Sequence, residues 1–108
     1  MNVEEIRKYC ITKPGVTEIL PFNDTALAFK ATGKMFALLD LSDEGRGINL
    51  KCDPVLTVEL RERHSSVIPG YHMDKKHWNT VLVDGSVPDR EIFSWIDHSY
   101  KLVVRKKK

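Results

Sequence analysis

The chain has 108 residues, of which 42% are hydrophobic, 30% charged and 8% aromatic. This length fits one domain by the usual range of roughly 100–200 residues, and the composition is typical of a compact globule, which excludes long disorder. The formal net charge of +2 is too small to identify a partner. We predict a single domain over residues 1–108 that ends in a short basic tail.

The charge is distributed unevenly along the chain. Residues 1–100 contain twelve basic and fifteen acidic residues, a net charge of −3, whereas the last eight residues contain five basic and no acidic ones. The basic residues at this end are Lys101, Arg105, Lys106, Lys107 and Lys108. Such a tail either is a solvated chain end or adds a sequence-independent attraction to phosphates.

No export or membrane-insertion signal is visible. The first eight residues are rich in charge, and no uninterrupted apolar stretch approaches the roughly 18 residues of a membrane-spanning helix. Cys10 and Cys52 form neither a C-x-x-C pair nor a disulfide framework, which favours a reducing compartment. We expect a cytoplasmic protein without a membrane-spanning segment.

The first half of the chain predicts a helix, a hairpin and a strand. Asn2 and Glu5 fit a capping box, and the short helix that follows ends before Pro14. Two apolar runs, 25–30 and 34–40, flank a loop whose Gly33 supplies a positive φ, as in a β-hairpin. After a polar, glycine-rich break over 43–47, residues 48–52 alternate apolar with polar in the manner of a half-buried strand.

The second half predicts a helix, extended segments and a closing helix. Asp53 is a suitable N-cap for a helix over about 54–64. Residues 65–68 read as extended, 69–70 as a turn and 77–83 as a strand. Pro88 opens a last helix with a broad apolar stripe that extends to Val103. This order predicts an α+β fold in which helices pack on one face of an antiparallel sheet.

Catalytic and metal-binding motifs are weak in this sequence. Cys52 precedes a helix amino terminus, where a thiol pKa can be lowered, but on the alternating strand it shares a face with Ile48 and Leu50, which favours a core residue. The four histidines lack the paired spacing of a zinc site, and the glycine-rich break matches neither common nucleotide-binding motif. The histidines are His64, His72, His77 and His98. We predict no catalytic residue, no metal site and no cofactor.

The most informative stretch is residues 69–80, PGYHMDKKHWNT. It combines ammonium, imidazole, phenol, indole and amide groups. Cationic and amide donors suit phosphate oxygens, and aromatic faces suit exposed bases, so this mixture favours a nucleic-acid surface. The alternative is that Trp78 belongs to the core and that Lys75 and Lys76 are merely solvated.

The same stretch resembles the MmcQ/YjbR family. The resemblance covers nearly the whole chain and is carried by residues 69–81, together with 48–54, 59–61 and 99–100, and earlier by 13–18, 21–22 and 33–37. It implies a small bacterial cytoplasmic protein of the CyaY-like α+β fold, with a double-wing arrangement and a DNA-binding role. One departure is Asp74, where the family often has Asn, and its charge offsets part of that of the neighbouring lysines.

The resemblance to the frataxin-related fold class does not extend to iron binding. Those relatives bind iron through an acidic ridge, whereas the opening helix here places Glu4 and Glu5 beside Arg7 and Lys8. We therefore carry over the fold and not the metal.

The sequence-based hypothesis is a non-enzymatic, monomeric DNA-binding protein whose binding is weak and directed mainly at phosphate. The predicted contact residues are Lys75, Lys76, His77, Tyr71, Trp78, Asn79, Lys51 and Arg46. The alternative is a protein-interaction or small-anion-binding module that uses the same segment, 71–79. A reactive Cys52 or histidine is the third hypothesis.

Overall fold

Three helices and six strands make up the described part of the chain. The computed structural model describes residues 3–19, 25–41, 47–70 and 73–104. The elements in chain order are α1 Val3–Ile11, β1 Val16–Ile19, β2 Ala26–Ala31, β3 Lys34–Asp40, β4 Ile48–Lys51, α2 Pro54–Arg63, β5 Val67–Pro69, β6 Trp78–Val81 and α3 Asp89–Val104.

The strands form one antiparallel sheet in the order β1-β2-β3-β4-β6-β5. Helix α2 follows β4 and carries the chain to the outer position of β5, so that β6 returns between β5 and β4. The predicted α+β class, with helices on one face of an antiparallel sheet, is confirmed. The CyaY-like, double-wing description stays a prediction.

Strand β1 is an element that the sequence pattern did not predict. It is only four residues long, and its side chains are alternately half-buried and exposed because it pairs only with β2 within the described sheet. A short strand with little buried apolar surface leaves a weak periodic signal.

The core lies between the sheet and the three helices. Side chains from α1, α2 and α3 join the inward-facing side chains of the strands in one buried cluster that includes Ile6, Leu60, Ile96, Phe29, Leu50 and Val81. A bulge in β3 between its pairings with Phe29 and Lys30 turns both Phe36 and Ala37 inward, where each is fully buried. Ser99 of α3 donates from its hydroxyl to the Phe36 carbonyl oxygen at 2.5 Å.

The predicted element boundaries agree closely with the structure. Helix α2 begins after Asp53, whose Oδ2 accepts hydrogen bonds from the Val55 and Leu56 amides at 3.1 and 3.3 Å. Cys52 is 5% exposed and belongs to the core cluster with Ile48 and Leu50, as the strand pattern predicted. The predicted capping box depends on Asn2, which lies outside the described residues.

A polar network joins α1 to α3. Tyr9 donates from Oη to both carboxylate oxygens of Asp97, at 2.8 and 2.9 Å, and the Lys13 ammonium forms an ion pair with the same carboxylate. That ammonium lies 4.7 Å from the Tyr9 ring centroid and 5.3 Å from the Tyr100 ring centroid. Lys13 thus belongs to the fold's internal contacts.

The other sheet face, on which none of the described helices packs, is called here the helix-free face. One continuous row crosses all six strands there, through cross-strand pairs of Ile19, Ala28, Leu38, Asn49, Thr80 and Ile68. The Thr80 hydroxyl donates to Asn49 Oδ1 in the middle of this row. The row is therefore apolar except for the pair of Asn49 and Thr80 at its centre.

Across the described ranges, no helix is both long and apolar enough to span a bilayer.

Candidate nucleic-acid interface

The segment between β5 and β6, residues 70–77, is called here the signature loop. The two ends of the loop are joined by a hydrogen bond in which the Gly70 amide donates to the Trp78 carbonyl oxygen at 3.0 Å. A Cβ on residue 70 would lie 2.8 Å from Trp78 Cβ and 3.0 Å from its carbonyl oxygen. Only glycine permits this close approach of the loop to β6.

Lys75 folds back into the signature loop. Its ammonium donates to the Gly70 carbonyl oxygen at 2.8 Å and to that of Met73 at 3.4 Å. A protonated amine with these acceptors stabilises the turn, and binding to a phosphate would require it to exchange them. The ammonium of Lys75 therefore stabilises the loop and is not available to a phosphate unless it gives up these hydrogen bonds.

Arg61 of α2 fastens the signature loop from the helix side. Its Nε donates to Asn79 Oδ1 at 2.7 Å, and its Nη2 donates to the Trp78 carbonyl oxygen at 3.1 Å and to that of Lys75. The planar guanidinium can bind several acceptors at once, which an ammonium cannot do in the same geometry. Sequence reasoning treated Arg61 only as a basic residue near a helix end, although it lies in the 59–61 segment of the family resemblance.

Asn79 requires a correction. It was predicted to contact DNA, but its side chain is 2% exposed and faces the core side of β6, held by Arg61. Its Nδ2 has no hydrogen-bond partner among the described residues. Asn79 lines a pocket with room for about one water molecule, and we leave it out of the proposed surface.

Asp74 organises the outer part of the signature loop. Its Oδ1 accepts from the Lys76 amide at 3.0 Å, and its Oδ2 lies 2.8 Å from His77 Nδ1. The hydrogen bond to His77 and the bond from the Lys76 amide hold the pKa of the Asp74 carboxyl below its usual value. The ammonium of Lys76 is exposed and makes no hydrogen bond or ion pair within the described ranges.

Lys51 and Trp78 meet on the helix-free face. They are directly opposed across β4 and β6, and both are partly exposed. The Lys51 amide donates a hydrogen bond to Ser99 Oγ of α3, on the helix side of the sheet, at 3.0 Å. Trp78 is thus not a member of the buried core cluster, which contains Trp95.

The structure brings four predicted residues together at one end of the sheet: Lys51, Trp78, Lys76 and His77. The Cys52 amide, which follows Lys51, donates to the His77 carbonyl oxygen at 2.7 Å, and this bond ties the end of β4 to the loop. Asn79 is buried on the core side of β6 instead, and the exposed Lys75 directs its ammonium to carbonyl oxygens of its own loop. Arg46 and Tyr71 lie outside the described residues.

The buried cysteines offer little chemistry. Burial raises the pKa of the Cys52 thiol, and it raises the pKa of the fully buried Cys10 thiol to about 12. A thiol held in its neutral form is a weak nucleophile and a weak metal ligand. In the described ranges, no three His, Cys, Asp or Glu side chains are grouped to hold a metal ion.

The fold and this surface define a small α+β domain with a helix layer behind the sheet and a cation-aromatic cluster in front. The YjbR family profile matches residues 11–102, and the chain belongs to the YjbR family.

Relatives match over nearly their full length. The chain is 36% identical over 104 residues to YjbR of Escherichia coli K12, covering 96% of this chain and 88% of that protein. It is 31% identical over 113 residues to YyaQ of Bacillus subtilis, covering 92% of this chain and 95% of that protein.

Solved structures share the fold. The Deinococcus radiodurans protein DR2400, with a DUF419 domain, is 38% identical, has a TM-score of 0.89 and is matched over 97% of this chain and 80% of its own. A Pseudomonas syringae protein is 32% identical, with a TM-score of 0.81 over 95% of this chain and 99% of its own.

Proposed function

We propose that this protein binds DNA without catalysing a reaction, weakly and mainly through phosphates. The observation that carries the proposal is the cluster of Lys51, Trp78, Lys76 and His77 at one end of the sheet. An aromatic surface beside the ammonium groups of Lys51 and Lys76, neither of which forms an ion pair within the described residues, suits the phosphates and bases of a nucleic acid.

The distribution of charge favours this side of the molecule. The three helices contain seven acidic residues: Glu4, Glu5, Glu59, Glu62, Asp89, Glu91 and Asp97. The same helices carry six basic residues, so their net charge is −1 and the layer offers a polyanion no net attraction. Lys30 and Lys51 lie on the helix-free face, and the ammonium of neither pairs with a carboxylate within the described residues. A phosphate backbone is therefore expected to approach from the sheet side.

The test is a titration with a labelled duplex that carries a single-stranded tail, at several salt concentrations. The Lys51→Ala plus Lys76→Ala variant is expected to bind more weakly and to reduce the salt slope by about 2, one unit for each lost phosphate contact. Lys8→Ala plus Lys101→Ala is the matched control, since it removes the same charge from the helix layer. Absence of binding at low salt, or equal effects of the two double variants, would overturn the proposal.

A small-anion site is the second candidate, and the polar groups around the pocket beside Asn79 favour it. The Nδ2 of Asn79, unpartnered among the described residues, supplies a donor, and Lys51 and His98 line the same pocket. The pocket has room for only about one water molecule, which restricts the ligand. A shift of the Trp78 indole N–H resonance with a halide ion, which is close to the size of one water molecule, but not with DNA, would favour this candidate.

The cytoplasmic location and the monomeric state stay predictions from the sequence.

A further inference from the structure

A second row crosses the helix-free face at the end nearest the signature loop. Thr17 pairs with Lys30, Lys30 pairs with Met35, and Lys51 pairs with Trp78. The bulge in β3 turns Phe36 inward and leaves Met35 on the helix-free face, between the two lysine-bearing strands. The row, called here the lysine–tryptophan row, consists of Thr17, Lys30, Met35, Lys51 and Trp78.

Cationic and apolar side chains alternate along this row from Lys30 to Trp78, and the indole of Trp78 is its flat aromatic group. Adjacent strands lie about 4.8 Å apart, so Lys30 and Lys51, which are two strands apart, are separated by at least about 10 Å at the backbone. Their side chains, like those of Met35 and Trp78, are partly exposed. Long, flexible ammonium side chains at this separation can reach neighbouring phosphates of one extended strand.

Two carboxylates near this end of the described sheet, those of Asp53 and Asp74, accept hydrogen bonds from other groups. Asp53 caps α2 by accepting from two backbone amides, and Asp74 accepts from the Lys76 amide and pairs with His77. Asp40, which pairs with Ala26 at the other end of β2, lies beyond the Ala28 and Leu38 pair and so away from the row. The row itself contains two ammonium groups and no carboxylate, and this charge is complementary to a polyanion.

We infer that the lysine–tryptophan row binds single-stranded DNA in preference to duplex. An unpaired base stacks on the Trp78 indole, and the flanking phosphates contact Lys51 and Lys30. In a duplex, the base faces are covered by their neighbours, so a flat sheet face can contact only the outer backbone and gains no stacking. The inference rests on the proposed function and specifies which form of DNA that function recognises.

The first experiment compares a labelled oligothymidine with a blunt duplex of equal length, each titrated with the whole protein at low salt. The single strand is expected to bind at least tenfold more tightly. Trp78→Leu is expected to weaken single-strand binding by about 5- to 150-fold, the range that corresponds to losing one stacked base. Trp78→Phe keeps an aromatic face and is expected to retain most of the binding.

A second pair of variants tests the row without altering an aromatic residue. Lys30→Ala is expected to weaken single-strand binding several-fold and to reduce the salt slope by about 0.7. Lys34→Ala is the control, because Lys34 is an exposed lysine of the same hairpin that pairs with the inward-facing Ala31 and lies outside the row. It is expected to leave the affinity unchanged.

The outcomes separate this inference from the proposed function. Duplex that binds as tightly as the single strand, or equal effects of Lys30→Ala and Lys34→Ala, overturns the inference and leaves DNA binding standing. Failure of both DNA forms to bind overturns the proposed function, and the inference with it.

Discussion

Arg61 shows how a single side chain determines the shape of the candidate surface. It contacts the carboxamide of Asn79 and the carbonyl oxygens of Trp78 and Lys75, and so joins α2 to the C-terminal part of the signature loop and to the start of β6. All its partners lie at least 14 residues away in the sequence. The contact is therefore long-range and depends on the fold.

Removing Arg61 is expected to destabilise the protein. Arg61→Met leaves Asn79 Oδ1 without its donor and removes one of the two donors to the Trp78 carbonyl oxygen, the other being the Gly70 amide. This should lower the free energy of unfolding by about 2 kcal/mol. Arg61→Lys should recover only part of this loss, because one ammonium cannot reproduce the planar fork. Urea unfolding followed by circular dichroism measures both changes.

The control for Arg61 is Arg63→Met, an exposed position at the end of the same helix. It is expected to alter the unfolding free energy by no more than about 0.5 kcal/mol. Equal effects at positions 61 and 63 would contradict the assignment of Arg61 as the residue that fastens the loop.

At the scale of elements, sequence periodicity predicted most of the fold. Helices α1, α2 and α3 and the β2–β3 hairpin carry capping residues, apolar stripes and a turn glycine, all of which are local signals. Strand β1 was missed because it has only four residues, and its side chains are half-buried or exposed rather than buried. Such a short segment gives the same sequence signal as a loop. The pairing of Lys51 with Trp78 could not be predicted, since it depends on β6 returning between β4 and β5.

The same limit applies to the candidate site. Residue types alone indicated the segment 69–80, and the structure does bring Lys51 and Trp78 together there. The residue types did not reveal that Lys75 donates to the carbonyl oxygens of its own loop or that Asn79 is buried and bound by Arg61. Both facts require knowing which way a side chain turns.

The contact between α1 and α3 is expected to make stability depend on pH. Burial alone would raise the pKa of the Asp97 carboxyl, but hydrogen bonds from Lys13 and Tyr9 outweigh it, and the net pKa is lowered from 3.8. A carboxyl whose pKa is lower in the folded state stabilises the fold above its unfolded pKa. This stabilisation is lost as the pH falls below about 4 through the folded pKa.

Asp97→Asn should therefore lower the free energy of unfolding by about 1–2 kcal/mol at pH 7, allowing for partial solvent screening. The difference from the unsubstituted protein should shrink as the pH is lowered from 5 to about 2.5. Thermal unfolding across this range measures it. Glu62→Gln, an exposed carboxylate of α2, is the control and should show little effect at any pH; a constant Asp97→Asn deficit down to the lowest pH would contradict the interpretation.

At the scale of the whole molecule, two sources of attraction to DNA differ in what they can discriminate. The lysine–tryptophan row and the signature loop hold a few cations beside an indole in a fixed arrangement. The segment 105–108 adds four basic residues to a remainder that has a net charge of −2, thirteen basic against fifteen acidic residues. Charge that is not tied to an aromatic surface attracts every phosphate backbone equally.

A chain that ends at Val104 should therefore bind both forms of DNA more weakly by a similar factor and should keep its preference for the single strand. The salt slope should fall for each form, because fewer counterions are released on binding. The Trp78→Leu variant of the full chain should show the opposite pattern, with the preference reduced and the salt slope nearly unchanged. Comparing the two proteins on labelled single strand and duplex separates non-selective attraction from recognition by the sheet face, and a truncated chain that loses its preference would assign the selectivity to the tail instead.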